Sequence, residues 1–462
     1  MSIANGIKHL ASVLQDKVRN NSFVKSVMTL SAGVLVSQII SFVSLPFISR
    51  IYAPDILGDY SFLVSNAAIL SVLVCLGLMS AIMMPKEDNE AKGLCRLTAL
   101  AVIVLSTLLL AVALLLDGTF QLFTVSLNYK IACLLLWLYI VLTNISAVCY
   151  AYTNRLKMYK VLFWNPVIGV CADVTVSILL GLLHCGLCGY LFGKLLSALL
   201  VTLYMLRYAN PFSGKTDDSC SMLNLLRKHK NFPLYQCPAN IVDTLAQQLP
   251  VQLIKRLFGS GILGSYSMCI GILGIPVRFL SSPVNRVYYQ EAASRYNAGE
   301  PIGEFSYKIL TANIKTAIIP IALLMIFGEP LFVFFLGSQW EQAGSFAAIL
   351  GLYQLVVFCS TCLSGNFVII GKQKLNLFFS VLGIVLNLLA FGIGFLAFGN
   401  VYHVLVLFAL AGTIYKLADI GLFLYYTGIR FVRFLRFVLF YIACPIAVSL
   451  LIRLGLTKLG IL

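Results

Sequence analysis

The chain has 462 residues, of which 60% are hydrophobic and only 11% are charged, and its mean hydropathy is +0.94. These values exclude a soluble globular domain of ordinary composition and indicate a polytopic membrane protein. The formal net charge of +16 is a value that nucleic-acid-binding proteins often have. No basic domain lies outside the apolar runs to bind nucleic acid, so we expect no nucleic-acid partner.

The chain begins with a basic segment, residues 1–26, in which apolar side chains recur at helical spacing. This pattern favours a short amphipathic helix on the cytoplasmic surface of the membrane. The segment lacks the small-residue cleavage site of a signal peptide.

About thirteen apolar runs follow, each close to the roughly 20 residues that a spanning helix needs. We expect helices, because membrane strands show alternating polarity over about ten residues instead of unbroken apolar runs. With a cytoplasmic N-terminus, alternation of the runs places most lysines and arginines inside. The runs are 27–49, 60–84, 97–116, 131–152, 161–183, 189–207, 232–254, 262–287, 309–336, 344–368, 376–398, 402–426 and 434–453.

The chain contains an internal repeat, residues 50–61 and 256–267. The offset, 256 − 50 = 206 residues, covers six runs, and this even number predicts two halves that point the same way. We interpret each copy as a turn between helices, in which glycine allows a tight turn and tyrosine lies at the membrane interface. A role for the two arginines at the outer mouth of a cavity is the alternative. The identical pairs include Arg50/Arg256, Gly58/Gly264 and Tyr60/Tyr266.

The repeat divides the chain into two lobes of six helices each, an N-lobe over 27–207 and a C-lobe over 232–427. Turn-forming and charged residues at 208–231 predict a cytoplasmic linker between them. Residues 428–462 contain one additional helix, which on strict alternation leaves the C-terminus outside, unless one run is miscounted or the last helix is re-entrant.

Ionisable residues inside the apolar runs are costly to bury and usually mark a cavity or a partner. Lys194 either extends outward or meets Asp173. Arg278 either pairs with Asp243, which lies at a similar depth, or binds a ligand, and both roles are compatible. Lys315 has no obvious partner in the sequence, which favours a position in the lining of a cavity.

The run at 232–254 is the most polar one. Its polar side chains follow the three-and-four spacing of one helix face, which predicts a hydrated or protein-lined surface. The residues are Asn240, Asp243, Thr244, Gln247 and Gln248.

The sequence has no nucleotide-binding loop, nucleophile elbow or pair of catalytic carboxylates, and its histidines and cysteines form no zinc-ligand pattern. We therefore expect no cofactor, no metal, no catalytic residues and no enzymatic activity.

Two stretches resemble a known family. Residues 41–61, which include Arg50, Pro54, Gly58 and Tyr60, are similar to the signature of polysaccharide flippases of the O-antigen type, in the multidrug/oligosaccharidyl-lipid/polysaccharide exporter superfamily. Residues 274–295, with Arg278 among them, resemble the eighth helix of that family and the loop after it. The single helix after the twelfth departs from relatives that carry none or two.

The resemblance implies an all-α polytopic membrane protein in which two parallel six-helix lobes surround a central cavity. It also implies an undecaprenyl-pyrophosphate-linked oligosaccharide as substrate, flipped across the bacterial inner membrane by alternating access. Membrane lipids and glycan polymerase machinery are the other expected partners. Membrane-embedded basic residues of the family attract pyrophosphate, a role that carries over to Arg278, Lys315 and Lys194. The expected substrate-binding set adds Asp243, Gln247, Gln248 and Asn240.

Two other functions remain open. A cation-coupled multidrug exporter of the same superfamily needs acidic residues for the coupling ion, and Asp173 is the candidate. A membrane glycan polymerase or acyltransferase usually needs a large outer loop, whereas the outer connections here are short.

Overall fold

The computed structural model describes residues 22–115, 125–213 and 222–458. The described residues are helical and contain no strand. Most of the predicted amphipathic segment 1–26 lies outside them. The first seven helices are α1 (Ser22–Ile51), α2 (Pro54–Cys75), α3 (Asp88–Leu115), α4 (Tyr129–Arg155), α5 (Tyr159–Leu182), α6 (Gly186–Tyr208) and α7 (Met222–Lys228).

The remaining helices are α8 (Cys237–Phe258), α9 (Ser260–Leu273), α10 (Ser282–Asn297), α11 (Gly303–Leu336), α12 (Glu341–Cys362), α13 (Asn366–Ile369), α14 (Gln373–Phe398), α15 (Val401–Tyr426), α16 (Phe431–Val438) and α17 (Cys444–Lys458). Three π-helical turns interrupt this order at Phe232–Gln236, Val277–Ser281 and Leu439–Ala443. Two 3-10 turns lie at Leu78–Met83 and Ser338–Trp340.

Within the described ranges, twelve helices are long and apolar enough to cross a membrane, which confirms the prediction of a multi-pass membrane protein. The predicted run 232–254 corresponds to α8, which is absent from the twelve. Its polar face lowers its hydropathy below that of a typical span. The helix also begins later than expected, because residues 232–236 form a π-helical turn.

The chain forms two compact units. The first contains the described residues up to Ile48 together with Leu70–Asn240, and the second contains Ser49–Ile69 together with the described residues from Ile241 onward. The second unit thus includes both copies of the repeat. The lobe boundaries at 27–207 and 232–427, and the linker 208–231, stay predictions.

The first unit has its core where the 3-10 turn Leu78–Met83 lies against α3 and α4. Leu78, Ile82, Leu94 and Val148 have no solvent exposure. Burial of these side chains fixes the turn between α2 and α3 against the end of α4, since apolar area removed from water is the main stabilising term.

The second unit has a continuous core that the C-terminal helices complete. Phe434, Phe437 and Ile446 from α16 and α17 join the buried side chains of α10, α11 and α12. Arg453 of α17 also donates hydrogen bonds to the Met325 carbonyl oxygen (2.9 Å) and to the Glu329 carboxylate (2.8 Å). The additional C-terminal helix is therefore an integral part of this unit.

Candidate functional site

Arg278 lies on the π-helical turn Val277–Ser281 that follows α9. The turn is fixed by the buried Ser281 hydroxyl, which donates to the Phe358 carbonyl oxygen (2.6 Å) and accepts from the Asn313 amide (2.8 Å). A π-helical turn inserts one extra residue and changes the direction of the side chains around it, and such turns occur frequently at functional sites. The backbone that carries Arg278 is thus held from α11 and α12.

The Arg278 side chain is exposed, and its Nη2 donates to the Gly271 carbonyl oxygen (2.6 Å). Gly274 makes room for the guanidinium, since a Cβ there would lie 2.9 Å from Nη1. None of the ion pairs among the described residues includes Arg278. A guanidinium keeps its charge and has several N–H donors, so this side chain presents donors to an anion.

The predicted pairing of Arg278 with Asp243 is wrong in this structure. Asp243 is exposed on α8 and joins none of the ion pairs among the described residues. Similar depth in two helices sets the height of each side chain along its axis but leaves the rotation about that axis open. Depth alone was therefore insufficient to predict a contact.

The polar face of α8 is only partly occupied by contacts within the protein. Asp243 and Gln247, one turn apart, are exposed, and Gln248 is half-buried. Asn240, earlier on the same face, accepts a hydrogen bond from the Gln236 side chain (3.0 Å). Asp243 and Gln247 therefore present hydrogen-bonding groups from one helical face at a separation of about one turn.

Lys315 of α11 lies beside the C-terminal helices. Its Nζ is 5.5 Å from the centre of the Tyr441 ring, a cation–π distance. Asn313 faces Ser281, and two residues further along a helix the side chain points about 200° away. Lys315 thus projects away from Ser281 and from the turn that carries Arg278. The structure does not place these two cations side by side.

Lys194 and Asp173 form an ion pair between α6 and α5 in the first unit. The Ser177 hydroxyl also donates to the Asp173 carboxylate (3.3 Å), and the Lys194 ammonium lies 5.6 Å from the centre of the Tyr190 ring. Of the two alternatives for Lys194, contact with Asp173 is the one present. Because Lys194 and Asp173 neutralise each other, Lys194 is less available to bind a phosphate and Asp173 is less available to bind a coupling ion.

The two repeat copies contact one another in the second unit. A Cβ on Gly58 would lie 1.9 Å from the Ser260 carbonyl oxygen, and a Cβ on Gly264 would lie 1.9 Å from the Pro54 carbonyl oxygen. The offset of 206 residues exchanges these contacts, since 58 + 206 = 264 and 54 + 206 = 260. The contact is therefore two-fold, and only glycine permits this approach of α2 and α9.

The interpretation of these glycines as tight-turn residues is wrong, because both lie inside helices, α2 and α9. Tyr266 is buried and Tyr60 is half-buried, and their position at the membrane interface stays a prediction. Arg50 donates to the Phe334 carbonyl oxygen (3.3 Å), and Arg256 is exposed.

Sequence reasoning missed a buried ion pair beside the repeat contact, between Lys255 of α8 and Asp59 of α2. Both residues are adjacent to identical positions of the repeat. A signal was present in the sequence, because the equivalent positions in the other copy are Ser49 and Ser265. Lys255 and Asp59 carry opposite charges, whereas the equivalent residues of the other copy are uncharged. Such a difference between the copies indicates a contact that occurs on one side of the repeat.

The chain matches the model of a family described as "Polysaccharide biosynthesis protein" over residues 47–345. Among solved structures, "Lipid II flippase MurJ, inward closed conformation" is similar with a TM-score of 0.67 at 12% identity, covering 94% of this chain and 98% of that one. An inward-facing MATE multidrug transporter of the MOP superfamily is similar with a TM-score of 0.59 at 13% identity, covering 89% and 99%. No curated protein matches the sequence.

A MOP superfamily transporter from Pyrococcus furiosus also shares the fold, with a TM-score of 0.56 at 14% identity over 88% of this chain and 94% of that one. At these identities the likeness concerns the fold. The chain shares the all-helical fold of MurJ and of the MATE transporters, which confirms the predicted fold class.

The family model covers well over half of the 462 residues. The chain belongs to the family described as polysaccharide biosynthesis proteins, as its two motif stretches predicted.

Proposed function

We propose that the protein is a flippase that moves an undecaprenyl-pyrophosphate-linked oligosaccharide, an O-antigen or similar surface polysaccharide unit, across the bacterial inner membrane. The N-terminus lies in the cytoplasm, and translocation proceeds by alternating access. The observation that carries this proposal is Arg278, a positioned guanidinium in a membrane-spanning region that no carboxylate neutralises among the described residues.

The chemistry of the substrate explains why such an arginine is needed. A pyrophosphate carries negative charge that must leave bulk water, and a charge-assisted pair with a guanidinium offsets much of that cost. The planar fork of arginine matches two phosphate oxygens at once, which lysine cannot do. The anchor through Ser281 reduces the motion lost on binding, since the backbone is already fixed.

Sugar hydroxyls and amides need neutral or acidic hydrogen-bonding partners, and the exposed face of α8 supplies them. Asp243 and Gln247 present such groups, and Asn240 and Gln248 extend the same face. Lys315, which lies beside Tyr441 and away from Arg278, does not contact the same phosphate in this proposal and contributes positive charge at a distance. Lys194 binds phosphate only if it leaves Asp173.

The test is complementation in a bacterium that lacks its own flippase for a defined lipid-linked glycan. Arg278→Gln should abolish surface glycan while the protein remains in the membrane, because the amide keeps N–H donors but loses the charge. Arg278→Lys should retain part of the activity. As a matched control, Arg436→Gln removes an exposed arginine of α16 and should leave surface glycan at the parent level.

Full activity of the Arg278→Gln protein would remove Arg278 from the proposal. A direct measurement completes the test, namely accumulation of the lipid-linked glycan on the inner leaflet when the protein is deleted. Unchanged glycan distribution in the deletion strain would overturn the flippase function itself.

The second candidate is a cation-coupled multidrug exporter, which the shared fold with MATE transporters favours. The carboxylate expected to bind the coupling ion, Asp173, is paired with Lys194, which weighs against this role for Asp173. A lower drug susceptibility on expression, with no change in surface glycan, would favour this function over the flippase.

A further inference from the structure

Three polar side chains meet in the second unit, beside the contact between the repeat copies. Lys255, in the last turn of α8, pairs with Asp59 of α2 and donates to the Ser260 hydroxyl, which itself donates to the Asp59 carboxylate (2.6 Å). Lys255 is only 7% exposed and Asp59 only 2%. We call these three residues, Asp59, Lys255 and Ser260, the clasp.

The clasp is an unusual way to join helices permanently. Removing two charges from water is expensive, and apolar side chains of similar volume usually hold a buried contact at least as well. A charged contact has a different advantage, which is that it can separate at low cost. When an ion pair separates into water, hydration recovers the desolvation cost of both ions, whereas an apolar contact that separates exposes surface to water. A buried ion pair therefore suits a contact that opens and closes.

The clasp is present on one side of the two-fold glycine contact only. The offset of 206 residues relates Lys255 to Ser49 and Asp59 to Ser265. The Ser49 hydroxyl donates elsewhere, to the Leu336 carbonyl oxygen (3.1 Å). The glycine contacts of α2 and α9 obey the symmetry and form a close backbone junction, while the charged contact breaks the symmetry and ties α8 to α2.

A second polar contact lies on the same side as the clasp. Gln252, one turn before Lys255 on α8, donates to the hydroxyl of Ser65 on α2 (3.0 Å). Ser65 is 1% exposed. The junction of α8 with α2 is thus polar over about two turns. Ser65 lies further along α2 than Asp59, on the side of the clasp away from the turn at Gly259.

We propose that the clasp is a conformational switch of the transport cycle. It is closed in this structure and holds α2 against α8 and α9, and it opens when this end of the molecule admits or releases cargo. The proposal rests on the proposed function, because it needs a transporter that exposes its two ends alternately. Weakening the clasp should raise the population of the open form, as a two-state equilibrium requires.

A thiol-labelling experiment measures this population without any substrate. Ser65→Cys introduces a thiol behind the clasp, and its rate of reaction with a small charged thiosulfonate is followed by mass spectrometry of the peptide. Right-side-out and inside-out vesicles establish which membrane side reaches it. Adding Lys255→Met should raise the rate about tenfold, and exchanging the charges, Asp59→Lys with Lys255→Asp, should return it toward the parent value.

Two further variants make the result specific. Arg256→Met removes the neighbouring exposed charge and should change the rate less than twofold. Asp59→Leu with Lys255→Met replaces the ion pair by an apolar one and should lower the rate below the parent value. Equal labelling rates for Lys255→Met and Arg256→Met, with both proteins present at the parent level, would overturn the proposal.

A crosslink tests whether opening is required. A Cβ on Gly261 would lie 3.5 Å from the Asp55 carboxyl carbon, so Asp55→Cys with Gly261→Cys should form a disulfide between α2 and α9. Oxidation should stop surface glycan assembly and labelling of the Ser65→Cys thiol, reduction should restore both, and each single variant should stay active. Full transport by the crosslinked protein would overturn the proposal. If no glycan phenotype exists at all, the flippase function fails while the labelling rates still decide the clasp.

Discussion

Two cations of this protein, Lys194 and Arg278, lie within membrane-spanning regions but differ in what surrounds them. Lys194 faces the carboxylate of Asp173, which also accepts from Ser177. Arg278 bonds only to a backbone carbonyl oxygen, that of Gly271, among the described residues. The same formal charge thus has two consequences. The first cation balances a buried acid and stabilises a helix pair, whereas the second is left with donors for a ligand.

The largest effect should come from removing the partner of a buried acid. Lys194→Met leaves Asp173 without its cation in a region of low dielectric, which should cost about 3 kcal/mol of stability. Thermal unfolding in detergent and the amount of protein in the membrane measure the loss. Adding Asp173→Leu should restore most of it, because the uncompensated charge is then gone. If Lys194→Met keeps its stability but loses transport, Lys194 belongs with Arg278.

A smaller and different effect is expected beside Arg278. Gly274→Ala places a Cβ 2.9 Å from Nη1 of Arg278 and 2.9 Å from the Ile270 carbonyl oxygen, so the guanidinium must move and the local backbone must shift. We expect surface glycan to fall several-fold, with a modest fall in unfolding temperature from the contact with the Ile270 backbone. Gly271→Ala is the control, because a Cβ there meets nothing within 4 Å. Equal activity of both variants would show that the position of the guanidinium is unimportant.

The smallest effect should come from Lys315, which is exposed but has an aromatic neighbour. Lys315→Gln removes a cation–π contact with Tyr441 that is worth about 0.5–1 kcal/mol at an exposed site. Surface glycan should fall no more than about twofold, because Arg278 remains. The measurement is a dose response at controlled expression. A loss as large as that of Arg278→Gln would place Lys315 at the phosphate.

The sequence predicted most of the fold, because length and hydropathy determine spanning helices and the repeat reveals their symmetry. For Lys194 the sequence left two alternatives, extension outward or contact with Asp173, and the structure shows the contact. The sequence did not predict the surroundings of Arg278, where a π-helical turn changes the rotation of the side chain. Propensity and periodicity carry no signal for one extra residue in a turn.

The candidate site was therefore predicted in composition but not in arrangement. Arg278 and the polar face of α8 were recognisable as residues out of place in a membrane. Their rotation about the helix axes comes from tertiary anchors such as Ser281 with Phe358 and Asn313. These anchors join residues more than 30 positions apart, so no local pattern contains them.

The reciprocal approach of Gly58 and Gly264 has the form of an isologous dimer interface within one polypeptide. A homodimer of half-length chains would repeat every such contact twice, so a lysine facing an aspartate on one side would recur on the other. Fusion of the two copies removes that constraint. A single chain can keep the shared glycine contact and place Lys255 and Asp59 on one side alone, so an ion pair occurs once at a junction whose backbone contact occurs twice.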